Sequence, residues 1–357
     1  MLKRLPRPAT LLVTVLLPAS LALAACGSDD QELEGFDAVS VSGDVGKAPE
    51  LDWKGTMSAG KAKTKVLTEG DGAKLEKGDQ IQVELTVVDG WTHKVVYDSY
   101  DKTALSTIVR VGEDKEVASL SDLMASGLNG GIEAGQTIGS RIAVAVGSDV
   151  VFGDYFGSQA ATVLADLDIG NEDGMLFVAD IVGLAESHGT DQKPAAWAPK
   201  VVETDGVPTS LDFTGTPKPN GQLQVTLLVK GDGPVLKSGQ QALVNYLGQL
   251  RTAKKPFDES FSKAGYSTIL GGANATSVKG WSQGLVGLPI GSRVLLEIPP
   301  KLGYGNQAQG KDIPANSTLY FVVDLIDVAD PEPVEEPTDT ASPSGSASGS
   351  PSATPSE

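Results

Sequence analysis

Residues able to do acid–base or covalent chemistry are scarce in this chain. It holds two histidines, His93 and His188, and one cysteine, Cys26, in 357 residues. None of the three lies after position 188, so no Ser-His-Asp or Cys-His arrangement and no His/Cys metal site can be assembled from the last third of the sequence. The acidic stretch Asp166, Asp168, Glu172 and Asp173 supplies oxygens but lacks the ordered spacing of a calcium loop, and reads as a solvated loop. Gly303-Tyr304-Gly305 is followed by no Lys-Ser/Thr pair and sits in no strand–turn–helix context, which argues against a phosphate loop. What stands out instead is apolar. Aromatic residues make up only 5% of the chain, yet Tyr246, Phe257, Tyr266, Trp281, Tyr304 and Phe321 follow one another within its last third. Trp281 lies between Gly280 and Gly284, and Tyr304 has a glycine on each side. Such rings read either as ordinary core or as the wall of an apolar cavity where glycine lets a ligand approach, and spacing leaves both open.

The elements that must carry these rings are mostly strands. Residues 223–229, 242–250, 293–299 and 318–327 are apolar or alternating and are punctuated by Gly and Pro. Only 277–285 suits a short helix, with Ser277 as its N-cap. A mostly antiparallel sheet wrapped on one short helix is an α+β domain. The pattern occurs twice. Leu51-Asp52-Trp53-Lys54-Gly55-Thr56 returns as Leu211-Asp212-Phe213-Thr214-Gly215-Thr216, Gly70-Asp71-Gly72 as Gly231-Asp232-Gly233, Tyr97-Asp98-Ser99 as Phe257-Asp258-Glu259, and Ile138-Gly139-Ser140-Arg141 as Ile290-Gly291-Ser292-Arg293. The offset shrinks along the chain, so the first copy carries longer loops. The expected organisation is two domains, 49–187 and 209–330, joined by a Pro-containing linker at 188–208. A polar tether at 26–48 precedes them, and a disordered Pro/Ser/Thr-rich tail at 331–357 follows.

Residues 1–25 read as an export signal: Lys3, Arg4 and Arg7 precede a short apolar run broken by Pro18. Leu23-Ala24-Ala25-Cys26 resembles a bacterial lipoprotein signal, which implies acylation of Cys26, a membrane anchor and an extracytoplasmic location. The net charge of −18 argues against a nucleic-acid partner.

The region from Gly231 to Val328 resembles the FKBP-type peptidyl-prolyl cis-trans isomerases. The blocks that carry the likeness run in order: Gly231-Asp-Gly, Val244-Asn-Tyr-Leu-Gly, Pro256-Phe-Asp-Glu-Ser, Ile269-Leu-Gly-Gly, Val278-Lys-Gly-Trp-Ser-Gln-Gly-Leu, Gly291-Ser-Arg, Leu302-Gly-Tyr-Gly and Ile313-Pro-Ala-Asn-Ser-Thr-Leu-Tyr-Phe. The resemblance implies a twisted antiparallel sheet around a short helix in each copy, isomerase activity in the second, no cofactor, and exported proline-containing polypeptides as clients, with macrolides as further ligands. It implies that Trp281 is the pocket floor and that Tyr246, Phe257, Tyr266, Val278 and Phe321 are its walls. Asp258 becomes the carboxylate at the mouth, paired with the Tyr246 hydroxyl, while Tyr304 and the Ile313 backbone N–H donate to substrate carbonyls. The first copy departs from the pattern, with Leu85, Met124 and Phe152 where Tyr246, Trp281 and Tyr304 stand; Tyr97, Asp98 and Phe177 keep the type. Little or no activity is expected there. A non-catalytic chaperone or proline-peptide-binding role is the alternative for the whole chain.

Overall fold

The computed structural model describes residues 31–331 apart from 114–116, 118, 159–160 and 264. Cys26, the signal before it and residues 332–357 lie outside the described residues. The first half carries β1 (Glu32–Glu34), β2 (Val39–Ser42), β3 (Glu50–Trp53), β4 (Thr56–Ser58), β5 (Lys63–Thr68), β6 (Gln80–Asp89), β7 (Lys94–Asp98), β8 (Thr107–Arg110), β9 (Arg141–Gly147) and β10 (Gly174–Leu184), with helices α1 (Leu120–Ala125), α2 (Ser148–Phe152) and α3 (Ala161–Asp166). The second half carries β11 (Thr190–Asp191), β12 (Lys200–Thr204), β13 (Val207–Asp212), β14 (Gln224–Lys230), β15 (Gln241–Gln249), β16 (Asp258–Glu259), β17 (Tyr266–Ile269), β18 (Arg293–Ile298) and β19 (Leu319–Ala329), with helix α4 (Lys279–Leu285).

Two large antiparallel sheets result, beside three two-stranded pairs, of which β1–β4 is parallel. One runs β5-β9-β10-β6-β7 with β8 also on β6; the other runs β14-β18-β19-β15-β16 with β17 also on β15 and β11 added at the β14 edge. The order is the same in both. Period-2 alternation explains the strands. In β19, Leu319, Phe321, Val323 and Leu325 turn toward α4, while Tyr320 and Val322 turn to the other face, and all six are buried. Both faces of that strand are covered, which is why its sequence reads as a nearly unbroken apolar run. Helix α4 lies close against this sheet. A Cβ on Gly280 would come within 2.4 Å of Ile298, and one on Gly284 within 2.7 Å of Leu296. These glycines therefore serve helix–sheet contact, which their spacing had left open beside the approach of a ligand.

The segments expected to be tether and linker are folded. β2 pairs with β3, and β12 pairs with β13. Each hairpin lies on the face of its sheet opposite the helix: Ala38 and Val39 pack with Val88, Ala143 and Leu176, and Trp197 and Val201 pack with Leu295, Tyr320 and Val322. Each also caps a buried ion pair. Arg141 makes a two-point contact with Asp180 (2.6 and 2.7 Å) and donates to the carbonyls of Gly43 and Lys47. Arg293 does the same with Asp324 (2.6 and 2.7 Å) and reaches Glu203. Polar, Gly- and Pro-containing composition concealed these hairpins because only one face of each short strand is apolar.

The two halves touch. Ile108 and Ala185 pack with Leu243 and Ile326, and Ser106 donates N–H and Oγ–H to Asp327 (2.8 and 2.6 Å). Nearby, Ser99 donates to Glu84 at 2.6 Å. Burial pushes the Glu84 carboxyl up to about 7, against the pull of Ser99 and with help from Asp327, Asp98 and Asp180. A carboxyl that holds its proton more tightly when folded stabilises the fold fully below its ordinary value of 4.5, and that contribution is lost as pH rises through about 7. The difference in melting temperature between wild type and Glu84→Gln is therefore expected to change between pH 5 and pH 8, with wild type losing ground at pH 8. A pH-independent difference would contradict this.

Candidate functional site

Most of the rings picked out in the sequence converge on the α4 side of the second sheet. Tyr246, in the middle of β15, lies edge-on to Trp281 (5.3 Å between centroids) and Tyr266 (5.5 Å), and tilted to Phe321 (6.2 Å). Phe321 of β19 meets Trp281 at 5.3 Å and Phe257 at 5.6 Å, both edge-to-face, the preferred geometry for aromatic quadrupoles. Exposure grades outward: Trp281 is 4% exposed and Phe321 5%, whereas Tyr304 reaches 37% and Tyr266 40%. The group thus has a floor and a rim. Gly248, two residues along β15 from Tyr246, makes room for it, because a Cβ there would lie 2.6 Å from the Phe257 ring and 2.7 Å from that of Phe321. Sequence reasoning missed this position, although a glycine inside a strand is a usable signal of close approach.

Polar groups sit at the rim. The Tyr246 hydroxyl donates to Asp258 Oδ2, and Lys263 reaches Asp258 Oδ1 at 3.3 Å. Burial, and then the bond to Asp258 and its charge, raise the Tyr246 pKa, so the phenol stays protonated. Tyr304 follows the turn Pro300–Leu302. Burial and the charges of Tyr266 and Asp258 raise its pKa, and its hydroxyl has no hydrogen-bond partner among the described residues. It is a neutral O–H donor left free.

Three expectations change. Ser277 does not cap the helix: α4 begins at Lys279 with Val278 at the cap position and no side-chain cap bond, and the buried Ser277 hydroxyl has no partner among the described residues. The Ile313 N–H is not free for a substrate carbonyl, since it donates to Gln309 O at 3.2 Å in a small antiparallel bridge. The Ile313 side chain does pack in the cluster with Trp281. The N–H of Val278, at the entry to α4, donates to no acceptor among the described residues, and its side chain packs half-buried against the same cluster.

The third change concerns the first sheet. Ser260 Oγ accepts the Tyr246 N–H, and Ser99 Oγ accepts the Leu85 N–H. Ser99 therefore stands where Ser260 does, which places Tyr97, not Asp98, at the position of Asp258. Asp98 corresponds to Glu259, and the carboxylate of the mouth is missing from the first sheet. Its space is filled as well. Leu85, Val87, Met124, Phe152 and Phe177 are fully buried, and the Phe177 ring lies over Gly127, where a Cβ would be 2.1 Å away.

The second-sheet arrangement offers no nucleophile beside a base. It can accept an apolar ring, exclude water from it, and donate hydrogen bonds at its edge.

Residues 233–326 match the family model described as FKBP-type peptidyl-prolyl cis-trans isomerase. Similar proteins include FK506-binding protein 2 of Dictyostelium discoideum, 37% identical over 111 residues, which cover 31% of this chain and 84% of that protein. The FK506-binding protein of Streptomyces anulatus is 36% identical over 119 residues, 33% of this chain and 94% of that protein. FK506-binding protein 4 of Mycosarcoma maydis is 40% identical over 116 residues, and there the match spans 32% of this chain and only 30% of the longer relative.

Proposed function

This chain belongs to the FKBP-type peptidyl-prolyl cis-trans isomerases, and from that premise we propose that the second sheet is its active unit, turning X–Pro bonds of exported polypeptides. The observation that carries this reading is the aromatic cluster around the nearly buried Trp281, with a Tyr304 hydroxyl at its edge that has no hydrogen-bond partner among the described residues. The barrier to rotation of a peptide bond is ~18–20 kcal/mol because amide resonance must be broken. A twisted amide has less charge separation than a planar one. An apolar cavity that strips water from the bond therefore favours the twisted form relative to the planar one. The proline ring would rest on Trp281 between Tyr246, Phe257, Tyr266 and Phe321. Tyr304 would hold a flanking carbonyl, and the free Val278 N–H would take the role first expected of Ile313. Asp258 orients Tyr246 and needs no proton transfer of its own. The same cavity would accept a macrolide such as FK506.

The first sheet is, in this reading, a degenerate copy of the second: the shared strand order and the residues that fill its cavity support that. The chain would act outside the cytoplasm, held to a membrane by acyl chains on Cys26; loss of lipid labelling in Cys26→Ser would test the anchor. Uncatalysed isomerisation takes ~10–100 s, slow enough to limit the folding of exported chains.

The test is the cis-to-trans rate of a Phe-Pro peptide with the full chain. Acceleration is expected, with Tyr304→Phe about 5–10-fold slower in kcat/KM, corresponding to ~1–1.4 kcal/mol for one lost hydrogen bond. No acceleration from the folded protein would sink the enzyme reading.

A further inference from the structure

We propose that the first sheet braces the active segment of the second, and that Gln80 is the positioning residue through which it does so. The inference rests on the reading of the second sheet as an isomerase. Residues 258–266 join β16 to β17 and carry Asp258, Lys263 and Tyr266, one whole side of the cavity rim. The back of this segment is held by the other half of the molecule.

Gln80, the first residue of β6, donates from Nε2 to the carbonyl of Phe261 and to that of Lys263 (2.9 Å). Its Oε1 accepts from Asn245 Nδ2 at 3.3 Å, and Asn245 Nδ2 also donates to the carbonyl of Ala185 at 2.9 Å. Asn245 and Ser260 are 1% and 2% exposed. The bonds continue inward: Ser260 Oγ donates to Asn245 Oδ1 (3.3 Å) and accepts the Tyr246 N–H (3.0 Å). Tyr246 then donates its hydroxyl to Asp258. One run of hydrogen bonds thus leads from a side chain of the first sheet to the Tyr246–Asp258 pair.

Two further contacts hold the same segment. Arg110 at the end of β8 reaches the Phe261 carbonyl at 3.4 Å. Ile108 packs so closely on Gly265 that a Cβ there would lie 2.6 Å away, and Gly265 adopts φ +79°, which favours glycine. Gly265 immediately precedes Tyr266. Within the second half the segment is held by Phe261, which packs with Leu247 and Tyr320, by the Ser260 N–H on the Tyr246 carbonyl and by Ser262 on Glu259. The first sheet adds its contacts from the other side, at the Phe261 and Lys263 carbonyls and at Gly265. The bracing gives a first sheet that lacks the site a role in the reaction: it keeps Asp258 and Tyr266 in register with Trp281.

The experiment uses the full chain and two near-isosteric variants, Gln80→Met, which removes both donors, and Gln80→Glu, which sets a carboxylate against the two carbonyls. Wild type, measured alongside, must accelerate a Phe-Pro peptide; if it does not, the isomerase reading fails and bracing is not the cause. Hydrogen exchange of the 255–266 peptide is expected to speed up in both variants. kcat/KM is expected to fall about fivefold in Gln80→Met and further in Gln80→Glu, as misplacement of one wall predicts. Arg110→Met, which touches the same segment with a different side chain, is expected to act in the same direction, more weakly. Faster exchange with unchanged kcat/KM would overturn the proposal, and so would unchanged exchange. A fall in kcat/KM with no local change in exchange would also overturn it.

Discussion

Trp281→Ala is expected to lower kcat/KM by about 100-fold or more, equivalent to ~2.7 kcal/mol of barrier. The indole is the only ring of the group that is both nearly buried and in edge-to-face contact with Tyr246, Tyr266 and Phe321. Removing it opens the floor to water and lets three neighbouring rings relax, so both the apolar surface and its shape are lost. A Trp→Ala change in a core costs ~3–5 kcal/mol of stability, so the variant is paired with Trp281→Leu. Leucine keeps an apolar floor and is expected to fold, with activity between wild type and alanine. FK506 gives a second reading of the same site: its addition is expected to change the fluorescence of wild type but not of Trp281→Leu, whose other three tryptophans lie elsewhere. Full activity in a folded Trp281→Leu or Trp281→Ala would remove the floor from the mechanism.

A loss of stability as large is expected at Arg141, in the first sheet. Its side chain and that of Asp180 are each 1% exposed, and the guanidinium also satisfies the carbonyls of Gly43 and Lys47. Arg141→Ala would leave a buried carboxylate without its countercharge, holding the Gly46 N–H, and two orphaned carbonyls, a loss of roughly 3–5 kcal/mol. In calorimetry the transition of the first sheet should move down by about 10 °C. Replacing both partners, Arg141→Met with Asp180→Leu, should recover much of the loss, because no lone charge stays buried. If the single variant melts like wild type, the pair contributes little. The bracing argument adds a kinetic corollary: near the lowered transition, isomerase activity should fall before the second sheet unfolds.

Much of this was legible in the residues, and the parts that were not share a cause. The strands around Leu223, Ala242, Arg293 and Thr318 appear within one or two residues of their expected bounds, because each has an apolar face long enough to show its period. The hairpins at 39–53 and 200–212 did not, since Pro, Gly and acidic residues outnumber the few valines that face inward. Residue type alone pairs Asp98 with Asp258. Register decides such cases, and the Ser99 and Ser260 hydroxyls on backbone N–H groups moved the match by one residue. The Ile313 N–H is taken by the Gln309 carbonyl, a contact across a turn that residue type does not announce. Gln80 carried no signal at all: its partners Phe261 and Lys263 lie about 180 residues away, and no local pattern reports on a contact of that separation.

The β12–β13 hairpin also bears on where this protein can be cut. A fragment starting at residue 209 would begin inside β13 and discard β12 together with Trp197. Leu295, Tyr320 and Val322 would then lose their cover, and Arg293 would lose Glu203. Such a fragment is expected to be sticky and poorly soluble, and its inactivity would say nothing about the active site. A boundary before Thr190 keeps the hairpin and the β11 edge strand, and proteases should spare the stretch between the halves that its composition marks as open.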